Sequence, residues 1–321
     1  MIKASLCITT YNQVLFVVDA LRSALAQDYS NLEIVICDDH STDGTWDMIW
    51  QVVADYIGKG GSHVIKCIQN THNLGCGPND DKCFRLASGD LRITGSGDDI
   101  SYPNRVSRLV EIWEGFEFKP MALIHDGWRI DENGCRIGYI GTHNFTFPLG
   151  AVTAYNAKLF NFRFTFPKVC YEDHIYAPVA EMLGGMVYVP DKLIDYRVGT
   201  GQSTHGAFRI PRIKSERAIV AATEQSLRDL ELLKNELKVN TYDWWKSYLE
   251  NGNRVGKISL AFYEGKTLSD RLAGYRLLKH PRMLSVIRFQ QLCLLLPPRI
   301  GDVILSLYYV LKRVLNKFIR F

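Results

Sequence analysis

Strand-like and helix-like segments alternate regularly over the first hundred residues. Short apolar runs at "ASLCITTYN", "LEIVICDD" and "HVIKCIQN" predict strands, and "QVLFVVDALRSALAQD" and "STDGTWDMIWQVVADYI" have helical spacing between them. Alternation at this spacing is typical of βαβ units. The sequence therefore predicts an α/β fold with a mainly parallel central sheet flanked by helices.

Polar pairs follow three of the predicted strands. These pairs are Tyr11-Asn12, Asp38-Asp39 and Asp98-Asp99. In parallel sheets, ligands bind beyond the carboxyl ends of the strands, which is where all three pairs fall. Adjacent carboxylates such as Asp98 and Asp99 repel each other unless a cation or a polar ligand shares them. The alternative for this last pair is an exposed surface turn.

The positive charge of the chain is concentrated at its C-terminus. The net charge is +4, and residues 282–321 contain seven Lys or Arg against one Asp, which gives +6 there and 4 − 6 = −2 for residues 1–281. This distribution argues against a main body that binds nucleic acid. It favours an anionic surface that the C-terminal residues contact.

The cysteines and the apolar runs indicate in which cellular compartment the protein is expected. The eight cysteines form no C-x-x-C pair, and several lie within apolar runs, so we expect core thiols in a reducing compartment. The N-terminal run has no features of a signal peptide, and no stretch has 18 consecutive apolar residues. We therefore expect neither a secretory leader nor a transmembrane helix.

The second half of the chain changes character. Between residues 120 and 205, strands are predicted at "MALIHDGWRI", "CRIGYIGT" and "MVYVPDKLIDYRV", and helices at "VTAYNAKLF" and "EDHIYAPVAEMLG". Beyond Pro211, strand signals nearly vanish and amphipathic helical spacing takes over. The pattern predicts a first domain over residues 1–208 and a helical C-terminal region over residues 209–321.

The C-terminal segment "RIGDVILSLYYVLKRVLNKFIRF" follows Pro297-Pro298. Apolar and aromatic residues recur in it at helical spacing, with Lys and Arg between them, which is typical of a helix that lies on a membrane surface. The alternative is a helix that packs against the enzyme's own core or a second subunit.

Several ordered motifs resemble those of one enzyme family. "SLCITTYNQ", "VICDDHSTDGT", "NTHNLGCG" and "ASGDLRITGSGDDISYPNRV" follow in order the opening strand, the aspartate-rich loop, the N-x-G turn and the D-x-D-D segment of inverting family-2 glycosyltransferases with a GT-A fold. The resemblance covers roughly residues 4–205 and implies a Rossmann-like central mixed sheet flanked by helices. It also implies that residues 1–208 bind a nucleotide-sugar and carry out catalysis.

The resemblance implies a nucleotide pocket at the first two strand ends. Asp39 would accept the N–H of a uracil ring, and Thr9, Tyr11 and Asn12 would complete the pocket. Asp38 would contribute to it or orient the loop. Residues 41–45 also have the pattern of a helix N-terminus, with Ser41, Thr42 or Asp43 as caps, and this is compatible with nucleotide binding.

The resemblance also implies a metal site. Asp98, with its neighbour Asp99, would share Mn²⁺ or Mg²⁺ with the donor diphosphate, because these cations prefer carboxylate and phosphate oxygens. The chain departs from the family pattern in having Ser96 where the first acid of D-x-D is usual.

In "CYEDHIYAPVAEMLGG", the resemblance implies that Asp173 is the catalytic base and that Glu172 contacts the acceptor or orients the loop. The alternative is that Asp173 is a helix N-cap.

A second departure is Asp80-Asp81, where the family often has Arg-Asn near the diphosphate. Lys82 or Arg85 would compensate, or the segment is structural.

"DYRVGTGQSTHG" resembles the family's strip that closes over the donor phosphates. It implies diphosphate or lid roles for Arg197 and Ser203, and His205 would replace the usual histidine, which is Gly199 here. Trp128 is a candidate sugar platform or acceptor contact, with core packing as the alternative.

Taken together, the resemblance predicts a hexosyl- or N-acetylhexosaminyltransferase that uses a UDP-sugar. The acceptor would be a polyprenyl-diphosphate-linked glycan of bacterial O-antigen or capsule type, and the enzyme would be cytoplasmic, peripheral at the inner face of the membrane, and possible as a homo-oligomer. Two alternatives are a non-catalytic nucleotide-sugar-binding scaffold and a sugar nucleotidyltransferase. The latter would need a glycine-rich basic loop after the first strand, which "TTYNQVLF" lacks.

Overall fold

The structure is a computed structural model of the chain. It describes residues 1–140, 150–164, 172–198 and 212–232, together with the single positions 234, 242, 243, 246, 247, 249, 250, 253 and 257. The predicted lid residues Ser203 and His205, and the C-terminal segment 299–321, lie outside the described residues.

Helices and strands alternate through the first half of the chain, as the sequence predicted. The strands are β1 (Ala4–Thr10), β2 (Leu32–Asp38), β3 (Val64–Gln69), β4 (Leu91–Ser96), β5 (Ile100–Ser101), β6 (Ala122–Ile130), β7 (Arg136–Ile140), β8 (Thr153–Asn156) and β9 (Met186–Arg197). The helices are α1 (Val17–Leu25), α2 (Thr45–Gly58), α3 (Cys76–Leu86), α4 (Arg105–Gly115), α5 (Asp173–Leu183) and α6 (Arg212–Leu232), with 3-10 turns at Gly150–Val152 and Ala157–Asn161.

The strands form one mixed sheet. Their order is β3-β2-β1-β4-β8-β6-β9-β5, with β7 paired to β6, and the four strands from β3 to β4 are parallel. In this register Thr10 lies beside Asp38, and Thr9 lies beside Ser96. The carboxyl ends of β1, β2 and β4 therefore meet at one edge, and the predicted α/β fold with a central mixed sheet is confirmed.

Alternate residues of the central strands pack against opposite helical layers. Leu6 and Ile8 of β1 belong to a buried cluster with apolar residues of α1, α2 and α4, whereas Cys7 lies in a cluster with residues of α3 and α5. This follows from the two-residue period of a strand. Thr9, which has the parity of Cys7, therefore lies on the same face as α3 and α5.

The predicted helix at residues 152–160 is wrong. Thr153–Asn156 form the strand β8, which pairs antiparallel with both β4 and β6, and a 3-10 turn follows. All four residues of β8 are buried. Hydrogen bonding to two neighbouring strands outweighs the local helical spacing here, since each buried backbone group must find a partner.

The strands predicted on either side of residue 134 are confirmed as β6 and β7, which pair antiparallel, with Gly134 at a φ of 80° in the turn between them. Six cysteines of the described part of the chain are free thiols, and Cys7, Cys37 and Cys83 are buried as expected.

Within the described residues, no helix combines the length and the hydrophobicity that crossing a membrane requires.

The chain divides into two compact units. The first contains Met1–Ile210 and Ala221–Leu249, and the second contains Pro211–Val220 and Glu250–Phe321. The residues of the candidate site described in the next subsection all belong to the first unit. The functional division at residue 208 stays a prediction.

Candidate functional site

Asp38 organises the loop that follows β2. Its buried carboxylate accepts hydrogen bonds from the hydroxyls of Thr10 and Ser41, from the Ser41 amide and from Gln69 Nε2, at 2.5 to 3.1 Å. Four donors satisfy the whole accepting capacity of a carboxylate. Of the two roles predicted for Asp38, this geometry corresponds to orienting the loop.

Asp39 is bonded to the beginning of α3. Its Oδ1 accepts from Asn70 Nδ2 at 2.8 Å and from the Leu74 amide at 2.7 Å, and its Oδ2 accepts from the Gly75 amide at 2.9 Å. Gly75 has a φ of 96°, a conformation that favours glycine. Three of the carboxylate's four acceptor positions are thus used, which leaves one on Oδ2 for the predicted nucleoside N–H.

Asn12 joins the β1 loop to the β2 loop. Its φ is 49°, its amide donates to Ser41 Oγ at 2.9 Å, and its Oδ1 accepts from the Thr42 amide at 2.9 Å. Tyr11 precedes it and is half-buried. Left-handed backbone is tolerated by Asn, whose side chain hydrogen bonds locally. The contacts fix the spacing of two of the three predicted ligand-binding loops.

Asp43 lies just before α2 and is bonded to its first residue, although it is not the N-cap that the sequence predicted. Its Oδ1 accepts from the Thr45 amide at 3.0 Å and from the Thr45 hydroxyl at 2.5 Å, and its Oδ2 accepts from the Val14 amide. The N-cap position itself is Gly44, which has a φ of 95°. Ser41 and Thr42 bond to Asn12 rather than to the helix.

The glycine after Ser96 is explained by contacts within the protein. A Cβ at Gly97 would lie 2.5 Å from Gln13 Oε1 and 2.7 Å from Thr10 Cγ2. Ser96 Oγ, in the place of the usual first acid, donates to Asp98 Oδ1 at 2.5 Å and accepts from Gln13 Nε2 at 3.4 Å. The serine therefore orients Asp98 without adding a negative charge.

Asp98 and Asp99 are buried neighbours with different surroundings. Asp99 Oδ1 accepts from the Arg197 amide at 2.8 Å, whereas Asp99 Oδ2 is buried without a hydrogen-bond partner. Burial, and then repulsion by Asp98, raises the pKa of Asp99 well above its ordinary value. An unpaired buried carboxylate oxygen next to a second carboxylate fits the chemistry of a divalent cation site.

The described residues do not complete such a site by themselves. No group of three or more His, Cys, Asp or Glu side chains among them is arranged to hold a metal ion. Asp98 and Asp99 would therefore bind a cation only together with other ligands, such as the phosphate oxygens of a donor.

Arg105 was not singled out from the sequence. In the structure it is fully buried and lies behind Asp99. It donates from Nε to His125 Nε2 at 3.0 Å and from its terminal nitrogens to Ser101 Oγ and the Ala151 carbonyl. His125 accepts at Nε2, so its Nδ1 carries the proton that it donates to the Asp126 carbonyl. Burial, and then Arg105, lowers the pKa of His125, which keeps the ring neutral.

Arg197, predicted for the diphosphate or the lid, is buried in this structure. Its guanidinium donates to the backbone carbonyls of Asp98, Asp131 and Glu132 at 2.9 to 3.0 Å and lies 4.9 Å from the ring centre of Phe16. These contacts tie the end of β9 to the aspartate loop. Arg197 positions Asp98 and Asp99 through both its backbone and its side chain.

Asp173, the predicted base, begins α5. Its Oδ2 accepts a hydrogen bond of 3.0 Å from the Gly150 amide, which belongs to the turn before β8. The N-cap residue of α5 is Glu172, whose side chain makes no capping hydrogen bond. The alternative that Asp173 is itself the N-cap does not describe this helix, and the base role stays a prediction.

Asp80 and Glu172 lie beside Asp173 in a buried acidic cluster. Asp80 Oδ1 accepts from Thr9 Oγ1 at 2.7 Å, and Asp80 Oδ2 accepts from Cys76 Sγ at 3.3 Å. Burial and the nearby charge of Asp173 raise the pKa of Asp80 to about 6. Burial, followed by Asp80 and Asp173, raises the pKa of Glu172 well above its ordinary value. Thr9 thus contacts the acidic cluster instead of standing free for a nucleotide.

The second acid of the pair, Asp81, is structural. It accepts from Arg85 Nε at 2.9 Å and from the Tyr176 hydroxyl, and Arg85 also donates to the carbonyls of Phe160 and Phe162. Arg85 is therefore fully engaged in packing. Lys82 donates to Asn70 Oδ1 at 2.6 Å, at the same strand ends as Asp39, so it is the cation of this segment that lies nearer the predicted nucleotide pocket.

Trp128 lies on β6 at the margin of this edge of the sheet. The cations of Arg136 and Lys192 lie 4.7 and 5.4 Å from its ring centres, and Tyr139 is its neighbour on β7. Trp128 is half-buried. It is not a core residue, and its predicted contact with a sugar stays a prediction.

Part of this chain is similar in sequence to a known protein family. Residues 5–127 match the Glycosyl transferase family 2 model. The match contains β1 to β4, the Asp98-Asp99 loop and most of β6. It supports the family resemblance over a shorter segment than the motifs suggested, and Asp173 lies beyond its end.

Two curated relatives are similar over the same part of the chain. The glycosyltransferase EpsE of Bacillus subtilis (strain 168) is 36% identical over 112 residues, which are 35% of this chain and 38% of EpsE. The Escherichia coli protein WfaP, named UDP-Glc:α-D-GlcNAc-diphosphoundecaprenol β-1,3-glucosyltransferase, is 32% identical over 110 residues, 34% of this chain and 41% of WfaP. The chain thus spans about two fifths of the length of these relatives.

Solved structures match nearly the whole chain in fold. S. aureus TarS 1–349 in complex with UDP matches with a TM-score of 0.56 and 18% identity, covering 93% of this chain and 82% of TarS 1–349. The mannosyltransferase PcManGT of Pyrobaculum calidifontis, in complex with GDP-Man and Mn²⁺, matches with a TM-score of 0.56 and 16% identity, covering 96% and 87%. At this identity the likeness establishes the fold, which is the predicted GT-A type, and the named relatives agree with the predicted glycosyltransferase class.

Proposed function

We propose that this protein is an inverting glycosyltransferase that moves one sugar from a UDP-sugar to a hydroxyl group of a lipid-linked glycan. The observation that carries the proposal is the convergence of the β1, β2 and β4 ends, which places Asn12, Asp39 and Asp98 at one edge of the sheet. The family match over residues 5–127 supports it. The UDP bound to TarS and the UDP-glucose in the name of WfaP support the choice of nucleotide.

The proposed chemistry is a single displacement. The acceptor hydroxyl oxygen attacks the anomeric carbon, the bond from that carbon to the diphosphate oxygen breaks on the opposite face, and the electron pair leaves with UDP. Asp173 takes the hydroxyl proton. A group in this role needs a fixed orientation, and the hydrogen bond from Gly150 to Asp173 Oδ2 provides it.

Asp98 and Asp99 would hold Mn²⁺ or Mg²⁺ together with the donor diphosphate. The cation would stabilise the charge that develops on the leaving group. Ser96 orients Asp98, and Arg197 donates from its amide to the Asp99 carboxylate and from its guanidinium to the Asp98 carbonyl, so the chain presents the two carboxylates in one place. The Mn²⁺ in the structure of PcManGT supports the proposal.

For the acceptor we propose a polyprenyl-diphosphate-linked glycan, which the printed name of WfaP supports. Such an acceptor is anchored in a membrane, and the +6 charge of residues 282–321 suits an anionic leaflet. The protein would then work at the inner face of the cell membrane, with residues 299–321 as its point of attachment. Trp128 is the proposed contact for the acceptor or its sugar, and of the two roles that the sequence left open for Glu172 we propose the one of orienting the loop.

Incubation with a panel of nucleotide-sugars and extracted lipid-linked acceptors tests the proposal. We expect transfer from one UDP-sugar with inversion at the anomeric carbon, read by NMR of the product. Retention of configuration would overturn the mechanism, and turnover with a GDP- or CMP-sugar alone would overturn the choice of nucleotide.

Ser96 favours one second candidate, a binding protein without catalytic activity, because the first acid of the usual metal motif is absent. Calorimetry distinguishes the two functions. Tight binding of a UDP-sugar without turnover against any acceptor would favour the binding protein.

A further inference from the structure

Asp80 and Glu172 form a carboxyl pair next to the proposed base. The two side chains hydrogen bond to each other, and each is 7% exposed. An ionised carboxylate can only accept hydrogen bonds, so two carboxyl groups bond to one another only when one of them carries a proton. The contact therefore requires a proton that the two groups share.

The other groups around the pair are neutral or already engaged. Tyr155 on β8 faces it, and burial together with the nearby carboxyl groups raises the pKa of Tyr155 well above its ordinary value. Cys76 on α3 donates to Asp80 Oδ2. The α3 cations Lys82 and Arg85 bond to Asn70 and Asp81 instead. Among the described residues that face the pair, Asp173 is the remaining acidic side chain.

Gly150 connects the pair to Asp173. A Cβ at this position would clash with Glu172 Oε1, so the absence of a side chain admits the Glu172 carboxyl group. The amide of the same residue donates to Asp173 Oδ2. One backbone position thus fixes Glu172 by close packing and Asp173 by a hydrogen bond.

We infer that Asp80 and Glu172 are positioning residues that share one proton and, through Gly150, hold Asp173 in place as the charged carboxylate that takes the acceptor's proton. This inference rests on the function proposed above. The shared proton limits the three carboxyl groups to two negative charges, which reduces the repulsion that would otherwise displace Asp173. Asp80 is one of the two acids that stand where the family pattern often has Arg-Asn.

Two substitutions at residue 80 separate the hydrogen bond from the charge. Asp80→Asn keeps an oxygen to accept from Thr9 and supplies an N–H to Glu172 in place of the shared proton. The net charge of the cluster is then the same as in the wild-type protein. Asp80→Ala removes the bridge altogether. Asp47→Asn, at an exposed position of α2, is the matched surface control.

For Asp80→Ala we expect kcat to fall by about ten- to a hundredfold with little change in the donor KM, because misplacement of a reacting group lowers the rate without removing donor contacts. Asp80→Asn should restore most of the lost rate. Its kcat should also fall less than that of the wild-type protein at alkaline pH, where the wild-type pair loses its shared proton. Equal losses in both variants, or no loss in Asp80→Ala, would overturn the inference.

An infrared difference spectrum of wild-type protein against Glu172→Gln at pH 7 tests the proton without any activity. We expect the carbonyl band of one protonated carboxyl group to be present in the wild-type protein and absent from the variant. Identical bands in the two proteins would overturn the shared proton. A wild-type protein that shows the band but transfers no sugar would instead contradict the proposed function.

Discussion

Gly150 N and Asp173 Oδ2 are joined by a hydrogen bond of 3.0 Å between two segments that lie 23 residues apart in the chain. The bond attaches the first residue of α5 to the turn that precedes β8. Asp173 is therefore oriented from outside its own helix, which makes its direction a property of the tertiary fold.

Asp173→Asn should abolish most of the activity. The amide keeps an oxygen for the Gly150 amide but cannot take a proton from the acceptor, so we expect turnover to fall by about 10²- to 10⁴-fold. Donor affinity measured by calorimetry should stay the same. Near-normal turnover with a lower melting temperature would mean that Asp173 only anchors the turn and that the base lies elsewhere.

Gly150→Ala should displace the Glu172 carboxyl group, because the added methyl would occupy its position. We expect kcat to fall by roughly tenfold or more, since the same residue orients Asp173. Gly138→Ala is a matched control, because its Cβ would meet only Arg129 Cδ at an ordinary 3.9 Å. Equal activity of the two variants would argue against close packing of Glu172 on Gly150.

Asp98→Asn should weaken metal and donor binding together. It removes a charge from the proposed cation site, and loss of a charged contact commonly costs about tenfold to a hundredfold in affinity. Titration of UDP in the presence and absence of Mn²⁺ measures the effect. If wild-type protein keeps full activity in excess chelator, the metal assignment fails.

The stability of the protein should depend on pH through Asp80. Its pKa is about 6 in the folded protein against 3.8 as the reference value, so the folded state binds a proton at Asp80, in addition to the one shared with Glu172, more tightly than the unfolded chain does. This contribution is therefore lost as pH rises from about 4 to above 6, and it amounts to about 3 kcal/mol at most. An asparagine at position 80 does not titrate, so it has no such pH dependence.

Asp80→Asn should accordingly gain stability relative to the wild-type protein as the pH rises through this range. Chemical denaturation at about pH 4.5 and at about pH 7.5, on either side of the pKa of Asp80 in the folded protein, measures the difference. A constant difference between the two proteins at both pH values would contradict the raised pKa.

Deleting residues 299–321 should release the protein from anionic liposomes. Each Lys or Arg near such a surface contributes about 1 kcal/mol, and the apolar residues of the segment add to this. Turnover on soluble acceptor analogues should stay nearly unchanged. Flotation at low and high salt measures the binding. Aggregation, or loss of activity on soluble acceptors, would favour packing of the segment against the protein or a second subunit.

Much of the fold follows from local sequence. The apolar runs of β1 and β2 are buried along almost their whole length, whereas β3 is partly exposed. The strands end at Thr10, Asp38 and Gln69, one or two residues before the predicted runs end. The strand β8 was taken for a helix because four residues are too few to show a period. Its pairing with β4 and β6 depends on strands distant in sequence, which local patterns do not encode.

Only part of the candidate site could be predicted from the sequence. The sequence indicated Asp98, Asp99 and Asp173 but missed Arg105, whose spacing from the aspartates was its only signal. The contact between Asp80 and Glu172 joins residues 92 positions apart, and no motif connects them. Such a contact arises from the packing of α3 and α5 on one face of the sheet.

The 3-10 turn at Gly150–Val152 has a consequence for how variants combine. Its Ala151 carbonyl accepts from Arg105, which stands behind the aspartate loop, and the amide of the preceding residue donates to Asp173. Substitutions at Arg105 and at Asp173 would therefore act on one short stretch of backbone from opposite sides. Their free-energy effects should be non-additive in a double-mutant cycle. The coupling energy would measure the interaction between the aspartate loop, which is proposed to contact the donor, and Asp173, which is proposed to act on the acceptor.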